Sequence, residues 1–188
     1  MCHYGGIKIS GDRHNRSTHF QFIVDLFRDV ELFPYGNDAS SALRRAQAKQ
    51  FVEIFNIKVI PFYFAAIVKG ESNVGPALVE SIKTYMVPLF TSQGPYLLGD
   101  KFGLADILCA PFVVRIYLLA KLGLLGAGVE GKLAEVEMWE KWARAVLANE
   151  SLRKTFNYEF EARKAVDRMR KISELNKLIT AGRRSTEV

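Results

Sequence analysis

"GPYLLGDKFGLADILCAPF", Gly94 to Phe112, places a carboxylate at the head of an apolar run: Asp106 precedes Ile107-Leu108-Cys109-Ala110-Pro111-Phe112. A charge entering a core is costly unless something there uses it. Three uses are open: a metal, a proton transfer, or a helix end. Taking Gly103, Leu104, Ala105 and Asp106 as N-cap, N1, N2 and N3 puts Asp106 where an acceptor side chain reaches back to the N-cap N–H. Its charge also meets the positive end of the helix dipole. Gly103 offers no side-chain oxygen, so only the Asp106 half of a capping box can form. Phe102 and Ile107 have the spacing of a hydrophobic staple. No His or second carboxylate follows in the next helical turns, which tells against metal or acid–base chemistry. Gly103 and Asp106 are assigned to starting a helix.

Outward from this point the periodicity is helical. Ala48, Phe51, Val52, Phe55, Val59, Phe62 and Ala66 form a stripe over about Ser40 to Lys69, with a bend expected at Pro61, which lacks the N–H to bond Ile57. A second helix is expected over Pro76 to Ser92, a third over Leu104 to Leu122 with Gly123 ending it, and a fourth over Ala134 to Asn149. "GLLGAGVEGK" reads as a glycine-rich connection. The last helix spans Tyr158 to Ile179, with Ala162, Ala165, Val166, Met169, Ile172 and Ile179 on one side. Ahead of these lie a possible strand in "GGIKIS", a helical pattern from Thr18, and the turn-rich "FPYGND". The fold class is all-α.

The 188 residues are 49% hydrophobic, enough for a core, and carry a net charge of +6. The cationic excess falls late, from Arg163 to Arg184, without interleaved aromatics. It reads as a solvated helix face and not as a nucleic-acid platform. Two cysteines, Cys2 and Cys109, make no disulfide framework, which points to a reduced, cytoplasmic setting. The start lacks the apolar core of a signal peptide. The apolar stretch from Ile107 to Leu125 is interrupted by Arg115 and Lys121, so no membrane contact is expected. Cys2, His3, His14 and His19 lack ligand spacing, so no metal is expected. Cys109 reads as a small core hydrophobe, and Cys2, at a free terminus with only His3 beside it, lacks the surroundings that activate a thiol.

"YLLGDKFGLADILCAPF" resembles a stretch of the cytosolic glutathione transferases, where a Gly-Asp turn, a phenylalanine and a capped Ala-Asp-Ile lead to Ala-Pro. "FIVDLFRDVELFPYGNDASSALRRAQAKQF", Phe22 to Phe51, resembles the join between that family's two domains. "KVIPFYF", Lys58 to Phe64, resembles the bend in the first helix of its helical domain, particularly in fungal and omega-like members. The likeness covers about Thr18 to Phe156.

The resemblance implies a helical C-terminal domain over 40–180, a linker over 34–39, a short remnant of a thioredoxin-like domain over 1–33 and a basic tail over 181–188. It implies glutathione as co-substrate and conjugation to electrophiles. In the family the thioredoxin-like domain supplies the catalytic residue, and a Glu/Gln-Ser pair holds the γ-glutamyl end. Asn15 and Arg16 stand in that register here, so the pair does not carry over and no catalytic residue is assigned. The family's electrophile pocket lies at the helix bend. This points to Phe62, Tyr63, Phe64 and Tyr117 as substrate-binding candidates, beside the alternative that they are core aromatics. Two further classes stay open. One is a non-catalytic interaction module, like the helical domain of translation elongation factor 1 gamma, pairing with itself or another protein. The other is a shortened gene product.

Overall fold

The computed structural model describes Pro34 and residues 36–185, with side chains to Leu178. The expected strand in "GGIKIS", the helix from Thr18, Cys2, the three histidines and the Asn15-Arg16 pair lie outside the described residues, as does the side chain of Ile179.

The described residues are helical and loop; their one β-type pairing is the isolated Tyr96–Gly99 bridge. Helix α1 is Ala39–Lys58, α2 Ile60–Phe64 continued by a π-helical turn Ala65–Lys69, and α3 Gly75–Ser81 continued through Ile82–Met86 and Val87–Leu89. Then come α4 Leu104–Lys121, α5 Val129–Ala134, α6 Glu137–Ala148, α7 Glu150–Thr155 and α8 Tyr158–Ser185.

Asp38 starts α1: its carboxylate accepts the Ser41 N–H at 2.9 Å and the Ser41 hydroxyl at 2.7 Å. Arg45 reaches back to the linker and donates to the carbonyls of Pro34 and Gly36, each at 2.7 Å. The bend falls where expected. The Phe62 N–H turns to the Val59 carbonyl at 3.2 Å, so the Lys58 carbonyl loses its helical donor. The Ser81 hydroxyl of α3 fills that vacancy at 2.7 Å. The kink is thus secured by the neighbouring helix.

The core is aromatic. Phe51 and Phe55 of α1 meet Trp139 and Trp142 of α6, with Phe51–Trp142 centroids 5.1 Å apart and Trp139–Trp142 also 5.1 Å apart. The run Ala39–Lys69 is long and apolar enough to cross a membrane by length and composition. Phe51, Phe55 and Val59 are nevertheless packed inside this core.

Two expectations need correction. The second helix tightens into a 3₁₀ turn and ends at Leu89, because Pro88 removes a helical donor. The glycine-rich connection holds a helix, α5, whose Val129 and Leu133 are buried. The stripe on the last helix is partly covered: Ala165 is buried, Ala162, Met169 and Ile172 are half-buried, and Val166 is 49% exposed. Helix α8 itself continues to Ser185, and α4 ends as expected at Gly123. There the Leu124 N–H bonds the Leu119 carbonyl at 2.9 Å, and Gly123 takes φ +71°.

Candidate functional site

Asp106 lies at the centre of a buried polar cluster. It is 1% exposed. Its Oδ2 accepts the Gly103 N–H at 2.9 Å, the half capping box expected from the spacing. Gly103 is extended, with φ −104° and ψ 177°. Oδ1 accepts two further donors, the Leu97 N–H at 3.1 Å and the Trp142 indole N–H at 2.7 Å. The Tyr96–Gly99 turn, with Gly99 at φ +127°, delivers the Leu97 N–H. The carboxylate therefore ties the loop before α4, the start of α4 and helix α6 to one another. Burial pushes its pKa up from the ordinary value, against the pull of the Trp142, Gly103 and Leu97 donors. Every partner is a fixed N–H, so Asp106 is a structural hub. Cys109, one turn on, is buried, and burial with the nearby Asp106 pushes its thiol well up, which makes it a poor nucleophile.

The aromatic candidates divide. Tyr63 meets Phe64 at 5.3 Å and Phe112 of α4 at 5.7 Å, and Phe64 meets Phe112 at 6.2 Å, all edge-on. Phe64 is 47% exposed, so the cluster presents an apolar face at the bend. Phe62, on the same turn, packs against the core. Tyr117 is elsewhere. It sits five residues beyond Phe112, about 140° further round the α4 helix. Its hydroxyl donates to Glu140 of α6 at 2.5 Å, and Glu140 also pairs with Arg144 at 2.5 Å. Burial, then Glu140, holds the phenol well above its ordinary pKa. The buried Trp139 indole N–H lies near that hydroxyl but completes no hydrogen bond. Tyr117 thus joins α4 to α6, away from the aromatic face.

Beside Tyr63 is a recess of about 100 Å³ whose lining includes Arg115 and Leu118 of α4 and Glu161, Lys164 and Arg168 of α8. Arg115 donates to the Pro111 carbonyl at 2.8 Å, lies 3.5 Å from Glu161 and sits over the Phe156 ring at 5.5 Å. No local pattern announces these residues, because they come from separate helices. Among the described residues no group of three or more His, Cys, Asp or Glu is arranged to hold a metal.

No family model and no curated protein matches the chain. Solved structures do. Glutathione transferase Omega 1C from Trametes versicolor superposes with a TM-score of 0.66 at 24% identity, covering 81% of this chain and 64% of that one. Omega 2S from the same organism gives 0.58 at 21% identity over 77% and 62% of the two chains. Omega 3C gives 0.54 at 22% over 73% and 59%. The chain therefore spans under two thirds of the length of these transferases. Together with the helical architecture, the likeness shows that the described bundle has the fold of the glutathione transferase helical domain.

Proposed function

We propose that this chain supplies the electrophile-binding side of a glutathione transferase architecture and acts in the reducing cytoplasm. The observation that carries the reading is the partly exposed Tyr63–Phe64–Phe112 face at the bend secured by Ser81. A flat apolar electrophile would lie edge or face against these rings, oriented and shielded from water. Phe62 supports the face from the core side, while Tyr117 steadies α4 against α6. Glutathione, the co-substrate in the resemblance, would be bound and ionised by a thioredoxin-like partner domain; no residue of the described bundle is proposed for that step.

The test is calorimetric titration of the purified chain with 1-chloro-2,4-dinitrobenzene in the absence of thiol. Saturable binding, weakened several-fold by Phe64→Ala, is the expected result. Glutathione alone should give no saturable heat at millimolar concentration, and conjugation should not exceed the uncatalysed rate. Electrophile binding indifferent to Phe64 would defeat the reading. Robust turnover abolished by Cys2→Ala would show that the chain holds its own catalytic thiol.

A second reading, a protein-interaction module, is favoured by the outer face of α8, where Leu175 and Leu178 are 56% and 71% exposed. Self-association seen by light scattering and removed by Leu178→Ser would support it. A monomer at all concentrations would count against pairing with itself.

A further inference from the structure

Next to the apolar face at the bend, the small recess is strongly cationic. Arg115, Lys164 and Arg168 line it against the one carboxylate of Glu161, a surplus of two positive charges. Glu161 is already divided between Arg115 at 3.5 Å and Lys164 at 3.9 Å. Arg168 makes no ion pair among the described residues. The Tyr63 hydroxyl lies within electrostatic reach of Arg115, Glu161 and Arg168, and burial raises its pKa, so it stays a neutral donor there. The floor, from Leu118 and Ala165, is apolar.

Size narrows what can enter. A cavity for a whole drug-sized ligand measures roughly 300–1,000 Å³. At about 100 Å³ this recess takes one ionic group. The ring cluster that begins at Tyr63 is where the rest of such a molecule would lie. Arg115 is already braced by the Pro111 carbonyl and the Phe156 ring, so its guanidinium is held in place before any ligand arrives.

We infer that the ligand class of the bend is an aromatic carboxylate, its flat body on Tyr63, Phe64 and Phe112 and its anionic group in the recess of Arg115, Lys164 and Arg168. The inference rests on the bend being the electrophile site. A guanidinium meeting a carboxylate gains a charge-assisted bond that a neutral group of the same shape cannot make.

The deciding experiment compares 2-naphthoate with 2-naphthamide, two probes of matched shape that differ in charge, by calorimetry on the full chain at low salt. Naphthoate should bind about tenfold tighter or better, the scale of one charge-assisted hydrogen bond. Arg168→Gln should remove most of that preference and leave naphthamide unchanged. Glu161→Gln should tighten naphthoate further, a gain that mere structural damage does not produce. Phe64→Ala should weaken both probes. Equal affinities, or a preference that survives Arg168→Gln, would overturn the carboxylate inference; if both probes still needed Phe64, the bend would stand as an apolar site. Probes that ignore Phe64→Ala, or fail to bind, would overturn the bend and the inference together.

Discussion

Helix α4 is apolar nearly all round, helix α8 carries only a narrow apolar stripe, and the two meet different fates. At the head of α4, Asp106 gathers N–H donors from a loop, a cap and a facing helix, and Phe51, Phe55, Trp139 and Trp142 close around the same point. Along α8, Ala165 is buried while Val166, Leu175 and Leu178 face outward. One region is fixed from several directions; the other touches the bundle along one side only, from the Arg115–Glu161 pair to Ile172 beside Gly70. Periodicity says that a helix has an apolar side. It does not say whether anything covers that side.

The sharpest way to break the contrast is Trp142→Ala. It removes a buried aromatic and strips Asp106 of its shortest donor, so a loss of about 3–5 kcal/mol is expected in urea unfolding followed by far-ultraviolet circular dichroism. A loss under ~2 kcal/mol would mean that the core closes without this hub. Asp106→Ala comes next, at about 2–3 kcal/mol, because it leaves three N–H groups without their acceptor.

Asp106→Asn should cost less, since an amide oxygen can still serve Leu97 and Trp142 while its NH₂ opposes the Gly103 N–H. The same pair of proteins gives a pH test. The folded carboxyl has a raised pKa, so between the ordinary value of 3.8 and its own the folded chain holds a proton that the unfolded chain has lost. The stability of the natural chain relative to Asp106→Asn should therefore fall as pH rises through that window and level off above it. A relative stability that rises there would reverse the assigned direction.

At the other pole, Leu175→Ala on α8 should change stability by no more than about 0.5 kcal/mol. Amide exchange should be faster along α8 than along α4; equal protection would erase the contrast. The smallest effect belongs to Gly103→Ser. The extended backbone there accepts any residue, and a hydroxyl completes the capping box, for a gain of a few tenths of a kcal/mol. A large loss would show that the cap is packed too closely for a side chain.

Much of this bundle was legible in short-range pattern. The Pro61 bend, the Gly123 stop and the link from Gly103 to Asp106 all follow from residues three or four apart, the distance over which helix rules act. The partners that make Asp106 a hub were not legible. Leu97 lies nine residues back and Trp142 thirty-six ahead, and both arrive by tertiary packing. Glycine spacing concealed α5, whose Val129 and Leu133 are held by burial more than by propensity. Of the aromatic candidates, Tyr63 and Phe64 share a face with Phe112, while the angle of Tyr117 around α4 carries it to Glu140 of α6. The cationic recess has no signature in the sequence, because Arg115 and Arg168 are fifty-three residues apart and belong to different helices.

The two indoles also give this molecule a built-in optical witness. Trp139 and Trp142 are the only tryptophans in the chain, and their rings lie 5.1 Å apart. One is hydrogen-bonded to a carboxylate; the other is buried with no acceptor among the described residues. Light absorbed by either is shared at that separation, so their emission and their coupled near-ultraviolet signal describe one place, the junction of α1, α4 and α6. Events at the bend or along α8 leave that signal dark unless they travel into the core. Intrinsic emission would thus distinguish a ligand that merely settles on the surface from one that reorganises the bundle.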